Sequence, residues 1–121
     1  MKTNLYIDYI SWLVFGVIFV LFPKNALLFM TNIKLDNVHI HMMRAFGFLC
    51  IYSSLTSYIA LKKNNLEDNK LIFKSRLLMS VLLLISMLYT QSLNNNWSNG
   101  HYFGMLGLIL NSVNVSIGIL N

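Results

Sequence analysis

LLMSVLLLISMLYTQSLNNNWSNGHYFGMLGLILNSVNVSIGILN, residues 77–121, contains no Lys, Arg, Asp or Glu. A water-soluble helical domain needs charge on its outward face, and this stretch offers none. The same holds for Ala45–Leu61, while Leu5–Phe22 carries only Asp8. A hydrocarbon layer about 30 Å thick takes roughly 20 mostly apolar helical residues, with about 17 as the lower limit. The chain therefore reads as all-α, with four membrane spans at about 5–22, 45–61, 77–93 and 102–120. Together they make a four-helix transmembrane bundle, and residues 1–121 form a single membrane domain.

Between the spans the chain is short and polar. Pro23 lacks a backbone N–H and fixes its own φ, so it suits the first turn of a new helix after span 1. The apolar run Ala26–Met30 is too short to cross a bilayer and reads as a short helix in the interface. Ile33 to Asn37 reads as a loop, Lys62–Lys70 (KKNNLEDNK) as a water-exposed turn, and Asn94–Gly100 (NNNWSNG) as a tight hairpin. The first apolar stretch is longer than a signal-peptide core and runs into Phe22-Pro23-Lys24 without a small-x-small cleavage site, so it reads as a retained helix.

The composition agrees. The apolar fraction is 56% and the net charge is +5, with a mean hydropathy of +0.60. The cations cluster at span edges, where membrane topology accounts for them, so no nucleic-acid partner is expected. Lys2, Lys62, Lys63, Lys70, Lys74 and Arg76 fall on one side; Lys24, Lys34 and Arg44 fall on the other. That bias puts both termini in the cytoplasm, with endoplasmic reticulum and plasma membrane equally compatible. The opposite hairpin holds a glycosylation sequon, Asn96-Trp97-Ser98, too near the membrane edge to suit the transferase. Trp97 and Tyr102 suit the interfacial belt. Cys50 is the single cysteine and reads as a small packing residue.

Polar residues inside the spans carry the remaining information. In span 4, Gly104, Gly107, Asn111, Asn114 and Gly118 recur at spacings of 3, 4, 3 and 4, on one helical face. Span 2 has a matching stripe: Gly47, Cys50, Ser54 and Ser57. Small residues let helices approach closely in lipid, and amides hydrogen-bond across helices, so these two faces are expected to meet. Gly47, Gly104, Gly107 and Gly118 are then packing residues. Asn111, Asn114 and Ser54 are candidate ligand-binding residues lining a polar cavity. His41, Arg44 and His101, with His39 nearby, gather at the outer rim, where they suit a phosphate or carboxylate headgroup. Asp8 in span 1 needs a cation at its depth, and Arg76 or Lys2 can supply it.

No nucleophile–base pair, phosphate loop or carboxylate pair is visible, so no catalytic residue, metal or cofactor is assigned, and a non-enzymatic protein is expected. Arg44-Ala45-Phe46-Gly47, with Ser53-Ser54 six and seven residues after the glycine, resembles the R-x-F-G…S-S signature of the ergosterol-pathway scaffold family. Ser11-Trp12-Leu13-Val14 is similar to that family's opening. The resemblance implies a four-span protein of the endoplasmic reticulum that tether enzymes without doing chemistry. The chain departs from it at Leu49, where the family has Trp, and late in span 3, where Met87 and Leu88 stand in place of the family's acidic residue. The general shape also looks like small DoxX-type four-span proteins. Two functions remain open: a scaffold or assembly partner for other membrane proteins or for a second copy, and a carrier of a small ligand or lipid on the polar faces of spans 2 and 4.

Overall fold

The computed structural model describes residues 2–30, 36–94 and 99–120. Five helices account for nearly all of them: α1 (Lys2–Leu21), α2 (Pro23–Met30), α3 (Asn37–Lys63), α4 (Leu66–Asn94) and α5 (Asn99–Leu120). Four of these, all but α2, are long and apolar enough to cross a membrane. Pro23 opens α2 as expected. Phe22 N–H still donates to Ile18, and its carbonyl accepts from Ala26 N–H, so the chain turns with the loss of few backbone bonds.

The helices extend well past the apolar spans read from sequence. α3 starts at Asn37, not near Ala45, because Asp36 caps it. The Asp36 carboxylate accepts from His39 N–H at 3.0 Å, and that bond holds its carboxyl below the usual carboxylate range. Likewise Lys62–Lys70 is not one long turn. Asn64 sits in the left-handed region (φ 52°, ψ 39°) and closes α3. Asn65 then accepts from Glu67 N–H at 3.0 Å, so α4 begins at Leu66. Glu67 and Asp68 in its first turn complement the helix dipole. At 1.5 Å per residue α3 and α4 are about 40 Å long, enough to carry their charged ends clear of a hydrocarbon layer.

The polarity of the bundle is inverted relative to a soluble protein. Asp8, Ser53, Ser54, Ser57, Ser80, Arg76 and Asn111 are buried, while Phe48, Leu49, Leu78, Leu82, Ile85, Leu106 and Leu110 face outward. Lipid is the solvent that favours this arrangement, because it rewards internal pairing of polar groups and tolerates an apolar exterior. Tyr6, Tyr9 and Tyr58 cluster at the end that holds the termini, and Lys62 Nζ lies 5.2 Å from the Tyr58 ring centre. Such an amphipathic group suits a membrane–water boundary.

α1 packs chiefly on α3, and α4 chiefly on α5; α1–α5 and α3–α4 contacts join the two pairs. The pairs are antiparallel. Asp8 meets Ser57, Gly16 meets Gly47, and Val20 meets Arg44 along α1–α3. Phe73 meets Gly118, and Ser80 meets Asn111, along α4–α5. The apolar core of Leu5, Ala60, Phe73 and Val115 lies at the termini end. Gly118 makes room for the buried Phe73 ring, whose atoms lie 2.7 Å from where a Cβ would stand.

The expectation that spans 2 and 4 meet through their stripes is corrected here. α3 and α5 form no packed pair among the described residues. The α3 stripe faces α1, and the α5 stripe faces α4 and α1. Each stripe marks a packing face, but the periodicity of one helix does not name its neighbour.

Candidate functional site

Two polar clusters tie the helix pairs together at the termini end. The first is built on Asp8, which is fully buried. Its Oδ2 accepts from Arg76 Nε at 3.1 Å and from Ser57 Oγ; its Oδ1 accepts from Trp12 Nε1 at 3.0 Å. Arg76 Nη2 also donates to the Ser53 carbonyl and to Thr56 Oγ1. The Asp8–Arg76 pair expected from sequence is therefore present. Lys2 is exposed and does not enter it. Trp12, Ser53, Thr56 and Ser57 were not foreseen as members, although Trp12 follows Asp8 by one helical turn, a spacing that puts them side by side.

The second cluster is a reciprocal amide pair. Asn4 Nδ2 donates to Asn114 Oδ1 at 3.0 Å and to its carbonyl at 3.1 Å, while Asn114 Nδ2 donates to the Asn4 carbonyl at 3.0 Å. It ties α1 to α5.

Towards the other end the two pairs part. A cleft of about 560 Å³ opens between α1, α4 and α5. Its walls are Phe15, Phe19, Phe46, Leu83, Met87, Phe103 and Leu108, and its polar groups are Ser11, Asn111 and Asn114. None of the described residues that line it is charged. Gly104 and Gly107 form part of its α5 wall. A Cβ on Gly107 would meet only Phe15 Cζ, at 3.8 Å, which is ordinary contact. Gly107 therefore lines open space and is not the tight packing point its place in the stripe implied. Gly47, by contrast, is a tight one: a Cβ there would stand 3.0 Å from the Gly16 carbonyl oxygen. Gly16 supplies the other half of that crossing and was not foreseen, because no other span-1 residue marks a small-residue stripe.

Asn111 is 9% exposed. Its Nδ2 donates to Ser80 Oγ at 2.9 Å, whereas its Oδ1 is buried with no partner among the described residues. The predicted ligand-binding residues thus separate. Asn111 and Asn114 share the cleft. Ser54 does not reach it; it is fully buried in α3, with its hydroxyl donating to the Ile51 carbonyl at 2.7 Å. Arg44 turns to α1, where Nε donates to the Val20 carbonyl at 3.4 Å and satisfies a helix-end oxygen. His39 serves the α3 cap. His41 is exposed, and no hydrogen bond joins it to Arg44 among the described residues. The His101 side chain lies outside the described residues, as do Trp97 and the sequon around Asn96. The outer-rim anion site therefore gains no built geometry.

One family model, described as Domain of unknown function (DUF8292), matches residues 1–120. No curated protein matches the chain, and no solved structure does.

Proposed function

The chain belongs to the DUF8292 family, and we propose that it is a non-enzymatic integral membrane protein that holds a membrane-dissolved apolar molecule in the cleft between α1, α4 and α5. The observation that carries this reading is the cleft itself. Its volume falls within the roughly 300–1,000 Å³ of small-molecule pockets, and its walls are aromatic and aliphatic with a few polar groups. It differs from the carrier reading of the sequence in its walls, since α1 and α4 supply most of the surface opposite α5 and α3 contributes only Phe46.

The test is photolabelling in phosphatidylcholine nanodiscs with a diazirine-bearing hexadecane. Labels are expected to concentrate on Phe15, Phe103 and Leu108. Gly107→Leu, which extends a side chain into the cleft, should remove that concentration while shifting the unfolding temperature little, because no atom is nearer than 3.8 Å. Labels spread evenly over outward residues such as Leu82 and Ile85 would overturn the reading.

Assembly with other membrane proteins is the second reading. The α4 and α5 spans are the least buried of the four, at 17% and 11%. That leaves broad apolar faces for lipid, a second copy or another membrane protein to cover.

The proposed orientation has both termini in the cytoplasm. Arg76 is engaged by Asp8, so Lys2, Lys62, Lys63, Lys70 and Lys74 carry the bias on that side. In sealed organelle vesicles with the cytoplasmic face outward, Asn65→Cys should react with impermeant thiol reagents and Asn25→Cys should be shielded; for protein in the plasma membrane of intact cells the two exchange. The reverse pattern would invert the topology.

A further inference from the structure

We infer that the α1–α3 seam at the termini end binds an anionic phospholipid, its phosphate held by Lys2, Lys62 and the hydroxyls of Tyr6, Tyr9 and Tyr58. This site is separate from the cleft, which none of these residues lines. Lys2, Tyr6 and Tyr9 follow one another at spacings of 4 and 3, on one face of α1. Tyr58 and Lys62 share a face of α3 at a spacing of 4. The two faces meet where the Tyr9 and Tyr58 ring centres lie 5.5 Å apart, and Tyr6 continues the row 6.3 Å from Tyr9. Lys62 Nζ is 5.2 Å from the Tyr58 ring centre, a cation–π distance that holds the ammonium beside the phenol.

The donors in this row are unspent. Among the described residues no hydrogen bond or ion pair engages these tyrosine hydroxyls or either ammonium. The chain's own carboxylates do not supply a counter-charge. Asp8 is paired with Arg76, Asp36 caps α3 at the opposite end, and Glu67 and Asp68 sit in the first turn of α4 without a lysine in ion-pair contact among the described residues. The row also stands at headgroup depth, because Lys2 opens α1 and Lys63 closes α3. Tyr6 and Tyr58 are exposed on the outside of the bundle. A phosphodiester brings one negative charge and only accepts hydrogen bonds, which complements a row of cations and hydroxyl donors. A choline group would suit the rings but be repelled by the lysines, so a headgroup of net negative charge is favoured over a zwitterionic one. Each lysine beside an anionic headgroup is worth about a fivefold gain in affinity.

Native mass spectrometry of the full chain in detergent, titrated with lipid, reads the binding directly. Dioleoyl phosphatidylglycerol is expected to bind at least about 10-fold tighter than dioleoyl phosphatidylcholine, which has the same chains. Lys2→Gln combined with Lys62→Gln should weaken the phosphatidylglycerol complex about 10- to 25-fold and leave phosphatidylcholine binding as it was. Tyr6→Phe combined with Tyr58→Phe keeps the rings, removes two donors and should cost about 3- to 15-fold. Lys70→Gln combined with Lys74→Gln removes the same charge from α4, whose main neighbour is α5, and should cost less than about 3-fold. Equal losses from the two lysine pairs would show diffuse attraction by the basic end and overturn the site. Equal affinity for the two lipids in the parent protein would overturn it without recourse to any variant. Glycerol phosphate, which carries the phosphate without the chains, should not compete at the lipid's concentration. If it competed equally, the ligand would be a free phosphate ester and the lipid assignment would fall.

Discussion

Gly47→Leu is expected to unfold the bundle in mild detergent under conditions where the parent protein survives. The reason is the closeness of α1 and α3 at one crossing. A Cβ on Gly47 would lie 2.9 Å from Phe19 Cβ, 2.9 Å from Val20 Cγ2 and 3.0 Å from the Gly16 carbonyl oxygen. A Cβ on Gly16 would lie 2.9 Å from the Gly47 carbonyl oxygen and 2.6 Å from Ile51 Cγ1. Backbone atoms on both sides set these distances, so rotating one side chain brings no relief.

Even Gly47→Ala must push the helices apart, at a cost of about 1–3 kcal/mol, and leucine exceeds that. In lipid the loss is felt in full, because helix association rests on close packing and not on expulsion from water. The wedge also falls between two other α1–α3 ties, Ser57 to Asp8 and Arg44 to the Val20 carbonyl. Thermal unfolding followed by circular dichroism measures the effect, with Gly107→Leu as the matched control from α5. Equal stability of the Gly47 and Gly107 variants would show that the close crossing does not exist.

The contrast between those two glycines shows what the sequence can express. Both sit in small-residue stripes of the same spacing, and the stripes identify the inward faces of α3 and α5. They contain nothing about the distance to the neighbour. Gly47 abuts backbone, Gly118 abuts the Phe73 ring, and Gly107 borders a void. A void is the absence of a side chain on another helix, so no pattern within α5 can announce it.

The spans were legible because lipid imposes a one-dimensional rule, a minimum run of uncharged residues. Helix ends were less so. The charged residues 66–70 stay helical once Asn65 caps them, although their charge makes them read as part of a turn. Asp8 and Arg76 were legible as partners for a different reason: charges are so rare inside the spans that few pairings exist. Their hydroxyl and carbonyl neighbours were not, since serine and threonine are common in α3 and only the three-dimensional crossing selects among them.

Asp8→Ala is expected to destabilise the bundle by about 3–5 kcal/mol, the cost of leaving one member of a buried ion pair alone. Arg76 is only 6% exposed, so its guanidinium would stay among Ser53, Thr56 and Ser57 without a counter-charge. Arg76→Ala should cost a similar amount, because the Asp8 carboxylate would keep Trp12 and Ser57 but lose its cation. The double variant removes both charges and the desolvation of each. Its loss should therefore fall well below the sum of the single losses, with a coupling of at least about 1 kcal/mol. The same cycle separates this role from simple packing. Asp8→Asn keeps the shape and one acceptor oxygen, enough for Trp12, but turns an NH2 donor toward Ser57 and Arg76 while removing the charge, so it should lose most of what alanine loses if charge pairing dominates. Unfolding of the parent and the four variants in one detergent gives the answer, and additive single losses would show that α1 is not held to α4 by this pair.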